Sequence, residues 1–359
     1  MMVQRKRAVV AMSGGVDSSV AAALLMEQGY DVIGLMLRLW REPGEGVHNR
    51  CCTPQHVEEA RRVAQVLGIP FHRVDAERRF KKHVVDTFIR EHARGRTPNP
   101  CLACNKRIKF GFLLRTADAA GADYVATGHY ARVRRRGRGY DLIRASDSRK
   151  DQSYFLFMLN QRQLRRTLFP VGGYTKPQVR ALARDKRLPV AAKQESQDIC
   201  FARDQDYGRF LRAHAPHTLR PGPVLDRSGR ELGEHEGLPL YTIGQRRGIG
   251  ITWPEPLYVL DKDVPNNSLI VGPAYQLGRR RFFVEEPSYV TGQAPSLPAS
   301  VAVKVRSTGR EAPATLYPGE SGLLEVRLTR CLRDITPGQG AVFYRGDVVV
   351  GGGIIARAG

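Results

Sequence analysis

The feature that most constrains the fold lies near the start of the chain, where a short apolar run meets a glycine-rich turn and then a helix. Ala8 to Met12 reads as a buried strand, and Ser13-Gly14-Gly15-Val16-Asp17-Ser18-Ser19 is the turn. The helix behind it carries an apolar face through Ala21, Leu24, Leu25 and Gln28, with Gly29 placed for a C-terminal cap. A strand that turns into a helix within a few residues needs a second, parallel strand to return to, and the sequence supplies several. Asp31 to Leu37 is the next strand, Arg41 to Cys52 a polar loop, and Thr53-Pro54 the N-cap and first position of a helix. That helix presents Val57, Ala60, Ala64 and Leu67 on one side, and Gly68 closes it. Pro70 to Val74 and Tyr124 to Gly128 continue the alternation. Strand and helix in alternation predict an α/β, Rossmann-like domain with a parallel sheet.

The turn also carries chemistry. Adjacent glycines let the backbone approach a ligand closely, and the helix start aims unpaired N–H groups at the same point. Pyrophosphate suits such a nest. The spacing is neither the Lys-Ser/Thr type of phosphate loop nor the GxGxxG type. The plain alternative is a strand–helix turn in which glycine merely fits. The order Ser-Gly-Gly-x-Asp-Ser resembles the PP-loop family of ATP pyrophosphatases, the adenine nucleotide alpha hydrolase-like enzymes. That resemblance implies ATP with Mg²⁺, the Asp17 carboxylate helping to hold the metal, and transfer of AMP to a carbonyl oxygen.

Beyond about residue 160 the pattern changes. Thr175-Lys176-Pro177-Gln178 is a capping box before a helix with Val179, Leu182 and Ala183 on one face. From about Pro221 glycine, proline and short alternating segments dominate, with strands expected at Val301 to Arg306, Leu323 to Thr329 and Ala341 to Val350. Turn signals such as Pro337-Gly338 between them predict a small β-barrel or sandwich at the end of the chain. No apolar run approaches the roughly 20 residues that cross a bilayer, and Ala8 to Met12 is too short for a signal segment. A cytoplasmic protein without a membrane partner is the expectation.

Lysine and arginine outnumber acidic residues, 57 to 35, for a net charge of +22. A polyanion such as RNA is one source of that excess, and a composition rich in arginine wherever surface charge is tolerated is the other. Six cysteines are present. Cys101-Leu102-Ala103-Cys104 is followed by Lys106, Arg107 and Lys109, cations that favour a thiolate, and Cys200 follows Asp198-Ile199. A single CxxC leaves redox, metal-binding and structural roles open, since zinc ribbons need two such pairs. Cys51, Cys52 and Cys331 read as structural or incidental.

Taken in order, Ser13 to Ser19, Thr97 to Phe110, Gly128-His129-Tyr130, Lys150 to Leu156, Gln197 to Phe201, Tyr241 to Arg246 and Gly351 to Ile355 resemble the tRNA-specific 2-thiouridylases nearly end to end. The resemblance implies adenylation of the 2-carbonyl of the wobble uridine in the tRNA anticodon stem-loop, then displacement of AMP by sulfur. It implies an ATP site at Ala11, Met12, Ser13, Gly14, Gly15, Val16, Asp17 and Ser18 with Met36 and Gly128. Cys104 would be the nucleophile, and Cys200 would carry a persulfide from a sulfur-relay or cysteine desulfurase donor protein. Asn99, Pro100 and Cys101 would face the target base, and Lys150, Asp151, Gln152, Arg306 and Ser307 would touch tRNA. The implied domains are residues 1–164 with 189–205 (catalytic), 165–188 with 206–278 (central) and 279–359 (β-barrel).

One position departs from the family pattern: Cys101 stands where Asp is usual. A third thiolate implies a 4Fe–4S cluster on Cys101, Cys104 and Cys200 as an alternative to a two-cysteine persulfide route in which Cys101 is dispensable. Other readings are a PP-loop enzyme that modifies tRNA differently or amidates a small metabolite, an RNA-binding protein with a degenerate nucleotide site, and a structural zinc module. His129 reads equally as a site residue and as part of a buried polar network at a strand end.

Overall fold

Along the first strand, Ala8, Val10 and Met12 fill one apolar cluster and Val9 another, so successive side chains enter cores on opposite faces of one sheet. A strand buried on both faces reads as an unbroken apolar run, which is why no alternation shows there. The protein is described by a computed structural model covering residues 5–42, 53–194, 200–202, 206–333 and 335–359. The expected loop from 43 to 52, with Cys51 and Cys52, and the segment 197–199 lie outside the described residues.

The chain opens with β1 (Arg7–Ala11), α1 (Val16–Glu27), β2 (Asp31–Arg38), α2 (Pro54–Leu67) and β3 (Phe71–Asp75). Thr53 caps α2 by accepting the His56 N–H at 3.1 Å, and Gly68 ends it in the left-handed conformation at φ 64°. Two helical stretches follow, α3 (Glu77–Phe80) into α4 (Asp86–Ala93) and α5 (Pro100–Ala103) into α6 (Leu113–Ala119), each through a wider π-helical segment. Next come β4 (Tyr124–Ala126), the hairpin β5 (Ala131–Arg136) and β6 (Gly139–Arg144), α7 (Gln161–Arg165), β7 (Thr167–Leu168) and α8 (Lys176–Asp185). The five-stranded parallel sheet has the order β3-β2-β1-β4-β7, with its direction of growth reversing between β1 and β4.

Residues 165–188, expected in the central domain, pair and pack with the first unit here. β7 pairs with β4 through Val125 and Thr167, and Val179, Ala183 and Leu188 pack into the first core with Ala21 and Leu24 of α1. Apolar cover on α1 from both α2 and α8 also explains its burial on nearly every side, while Gln28, expected on its inner face, is exposed.

After α9 (Tyr207–His214) the central unit is a four-stranded sheet of order β10-β11-β8-β9, built from β8 (Gly222–Leu225), β9 (Glu231–His235), β10 (Leu257–Asp263) and β11 (Ser268–Pro273). The last unit comprises β12 (Arg279–Tyr289), β13 (Ala299–Lys304), β14 (Ala312–Pro318), β15 (Leu324–Leu332), β16 (Gly340–Arg345) and β17 (Val348–Ala358). These run β12-β15-β14-β13-β16-β17, and a β12–β17 pairing closes them into a barrel. The strand expected over Ala341 to Val350 is a hairpin, because Gly346 turns the chain at φ 58°. The β5–β6 hairpin joins the barrel's edge through Ile143 and Val348, tying the first and last units together.

Candidate functional site

The turn after β1 sits at the reversal point of the sheet, beside the end of β4, where open α/β sheets hold their ligands. Gly14 adopts φ +71°, and a Cβ there would meet the His56 carbonyl oxygen at 2.5 Å, so α2 backs the turn closely. Ser18 Oγ donates to the Gly15 carbonyl at 3.2 Å and accepts the Ser13 N–H at 3.2 Å, which fixes the loop from within. Gly128 lies two residues after β4, and a Cβ on it would lie 2.6 Å from Ser18 N and 2.7 Å from Asp17 C. The helix start thus meets a backbone without side chains at Gly14, Gly15 and Gly128, a cradle whose glycines let a phosphate chain approach the first-turn N–H groups of α1.

Cations surround it. Lys176, the first residue of α8, donates Nζ to Asp17 Oδ1 at 2.7 Å and Oδ2 at 2.9 Å, and Tyr130 Oη donates to Oδ1 at 2.8 Å. Lys193 donates Nζ to the Gly14 carbonyl at 2.9 Å and pairs with Glu59. Burial, with Lys193 next to it, pushes the His56 imidazole below its usual pKa. Met12 and Met36, expected against the nucleotide, are 2% exposed and belong to the first core, while Ala11 is half-buried. Lys176, Lys193 and His56 escaped the sequence reading. Lys176 was visible only as a residue of a capping box, and Lys193 lies in no recognisable pattern.

Gln152 steers Tyr130 by accepting its N–H at 2.9 Å and donating its own N–H to the Tyr130 carbonyl at 2.8 Å. Asp151, expected against tRNA, is 3% exposed at its side chain and accepts from Ala145 N–H, Ser153 N–H and Ser153 Oγ. It anchors the turn that presents half-buried Lys150. His129 is the network residue of its two readings. Its Nδ1 is 2.7 Å from Thr127 Oγ1 and its Nε2 3.3 Å from Lys109 Nζ. Burial, with Lys109 beside it, holds its pKa well below the usual value, so the ring is neutral and accepts from the ammonium.

The cysteine turn is built by Asn99, whose side chain accepts the Cys101 N–H at 3.1 Å, with Pro100 at the first helical position. Cys101 is exposed. Cys104, 8% exposed, and partly buried Cys200 share one apolar cluster with Trp40, Phe80 and Phe201. Of the three cations next to Cys104 in sequence, Lys106 pairs with Glu286 and Lys109 bonds to His129, while Arg107 lines the adjoining cavity. Among the described residues no three His, Cys, Asp or Glu side chains gather to hold a metal. Cys101 is exposed and Cys104 buried, and the three thiols implied as iron–sulfur ligands are not gathered into one ligand group among the described residues.

Around the cysteine turn the other units close in. Thr97 N–H donates to the Pro337 carbonyl at 2.8 Å, and Thr97 Oγ1 lies 3.4 Å from Thr242 Oγ1. Arg306 donates to the Ile243 carbonyl at 3.1 Å and to Thr336 Oγ1 at 3.0 Å, and half-buried Ser307 follows it. A cavity of about 530 Å³ borders Asn99, Pro100 and Ala103, with Arg90, Arg94, Lys106 and Arg107 on its wall. No helix among the described residues is long and apolar enough to cross a membrane.

Three family models match successive stretches of the chain: a tRNA methyl transferase HUP domain over residues 6–204, a tRNA methyl transferase PRC-barrel domain over 208–273, and an aminomethyltransferase beta-barrel domain over 279–355. Among curated relatives, the tRNA-specific 2-thiouridylase MnmA of Roseiflexus sp. (strain RS-1) is 49% identical over 368 residues, covering 97% of this chain and 99% of the relative. The protein of the same name from Chloroflexus aurantiacus is 50% identical over 351 residues, covering 97% and 98%. That from Clostridium perfringens is 45% identical over 353 residues, covering 98% of each.

Proposed function

The chain belongs to the tRNA-specific 2-thiouridylase family, and from that premise we propose that it activates the 2-carbonyl of the wobble uridine with ATP and then exchanges that oxygen for sulfur. It is a PP-loop enzyme of tRNA thiolation. The observation that carries the finer reading is the Gly14–Gly15 turn at the sheet's reversal point, closed by Gly128 and flanked by Lys176 and Lys193. The loop N–H groups and the two ammonium groups hold the triphosphate of ATP, and Asp17 would hold a Mg²⁺ ion that neutralises phosphate charge. Attack of the uridine oxygen on the α-phosphorus expels pyrophosphate and leaves the oxygen as part of an AMP leaving group.

Cys104 and Cys200 then handle sulfur. A persulfide on Cys200, delivered by a donor protein, attacks C2 through its terminal sulfur, and AMP departs with the former carbonyl oxygen. The Cys104 thiolate attacks Cys200 Sγ, breaks the bond to the transferred sulfur and releases 2-thiouridine, which leaves a Cys104–Cys200 disulfide for a dithiol reductant. Asn99, Pro100 and Cys101 face the base at the mouth of the adjoining cavity, while Lys150, Arg306 and Ser307 meet tRNA, with Asp151 and Gln152 as their supports. Residues to about 204 form the catalytic unit, 206–278 the central unit and 279–359 the barrel, working as a cytoplasmic enzyme. Mass spectrometry of tRNA nucleosides after incubation with ATP and a persulfide donor, a cysteine desulfurase supplied with cysteine, tests this. Thiouridine with AMP and pyrophosphate is expected, and ADP with phosphate, or unmodified tRNA, overturns it.

A further inference from the structure

We propose that one end of the central sheet is a second docking face for tRNA, where Trp253 stacks on an exposed base away from the target uridine and the arginines around it take the flanking phosphates. The proposal rests on the tRNA reading above.

The strand registers bring the parts together. β10 pairs antiparallel with β11 through Leu257 and Pro273, and β11 runs parallel to β8 with Ile270 opposite Leu225. The start of β10, the end of β11 and the end of β8 therefore share one edge of the sheet. Trp253 lies just before β10, Tyr275 just after β11, and Arg227 and Arg230 in the turn after β8. Trp253 is 36% and Tyr275 80% exposed, whereas most large aromatic side chains are inside.

A single exposed aromatic is ordinary, so the surroundings decide its meaning. The Arg230 guanidinium sits 5.8 Å from the centroid of the Trp253 ring. Arg227, Arg246 and Arg247 are exposed and make no ion pair among the described residues. Asp226, beside Arg227, accepts the Ser228 and Arg230 N–H groups and the Ser228 hydroxyl, and Glu231 and Glu255 are the exposed acids beside Arg230 and Trp253 in sequence. A flat π-face among unpaired guanidinium groups suits nucleic acid, because every base offers a stacking face and every nucleotide a phosphate.

The face is continuous with the proposed base site. Thr242 meets Thr97, and Ile243 accepts from Arg306, so the segment leaves the Asn99–Cys101 turn. Arg246 and Arg247 follow directly after the turn that the Gln245 N–H closes on the Thr242 carbonyl at 2.9 Å. In the proposed complex the tRNA backbone runs from the base site at Asn99 past these two arginines.

The chain has two tryptophans, Trp40, 8% exposed, and Trp253. In Trp40→Phe, emission reports Trp253 alone. Titration with full-length tRNA should quench it and shield it from acrylamide. If Trp40→Phe does not fold, the difference between the native chain and Trp253→Phe gives the same signal. Trp253→Ala should weaken tRNA binding about tenfold with Trp253→Phe recovering most of it. Replacing Arg246 and Arg247 by Ala should lower the salt slope by about 0.7–0.9 per lost phosphate contact. A tRNA that binds and is thiolated while Trp253 emission and acrylamide access stay unchanged overturns the docking face alone. A tRNA that does not bind overturns the underlying reading with it.

Discussion

Lys176 donates to both oxygens of Asp17 while only 10% of its side chain reaches solvent, so removing Asp17 leaves a nearly buried ammonium without its carboxylate. Asp17→Ala should abolish thiolation and also lower stability by about 1–3 kcal/mol, the worth of hydrogen bonds between charged groups at a largely buried site. Adding Lys176→Met should restore the melting temperature and leave the enzyme inactive. Recovery of activity in the double variant would show that the pair is structural. The cysteines separate in the same way. With Cys104 and Cys200 in one buried cluster and Cys101 outside it, Cys104→Ser and Cys200→Ser should lose thiolation yet still form AMP from ATP and tRNA. Cys101→Ser should keep thiolating without bound iron. Iron uptake by the native chain that Cys101→Ser loses, together with loss of activity, would restore the cluster mechanism.

At the scale of elements, the site depends on how near β4 comes to α1. Gly128→Ala places a methyl group 2.6 Å from Ser18 N and 2.7 Å from Asp17 C, and both are backbone atoms that cannot swing away. The start of α1 must move, and with it the N–H groups proposed to hold phosphate. A displacement of even an ångström at reacting groups costs on the order of 100-fold, so kcat/KM for ATP should fall by about that factor. An unchanged kcat/KM would place the nucleotide elsewhere. The helix itself was legible beforehand, as was α2 with its Thr53 cap and Gly68 stop, because caps and apolar spacing act within a turn or two of chain. The hairpin at Gly346 was missed because apolar residues run through Ala341–Val350 on both sides of a turn that burial alone does not mark.

Across the whole molecule the central unit leans on α4 through a buried basic pair. Lys262 of β10 has its pKa pushed down to about 7 by burial, against the opposing pull of Asp261, and its Nζ has no hydrogen-bond partner among the described residues. Burial takes His92 of α4 down to about 4, opposed by its bond to the Phe88 carbonyl and aided by Lys262. Between about pH 7 and the ordinary lysine value, the unfolded chain holds a proton that folded Lys262 has released. Stability therefore rises with pH through that window. Lys262→Met should raise the melting temperature at pH 7 and flatten the rise between pH 7 and 10. A melting temperature lowered at pH 7 would mean the amine has a partner in solution.

The sequence by itself determined the local elements and the chemistry: the strand–turn–helix at Ser13–Ser19, the capped helices, the cysteine turn with Asn99 and Pro100, and the β-rich end. Each is written in residues a few positions apart, where backbone preference and side-chain spacing act directly. Tertiary structure alone decided that Lys176 reaches Asp17 across 159 residues and that Lys193 reaches Gly14 across 179. It also placed the β5–β6 hairpin on the barrel and left Cys101 exposed while Cys104 and Cys200 joined one apolar cluster. Those outcomes follow from which apolar faces bury one another, α8 on α1 and β12 on β17, and no stretch of sequence states its partner.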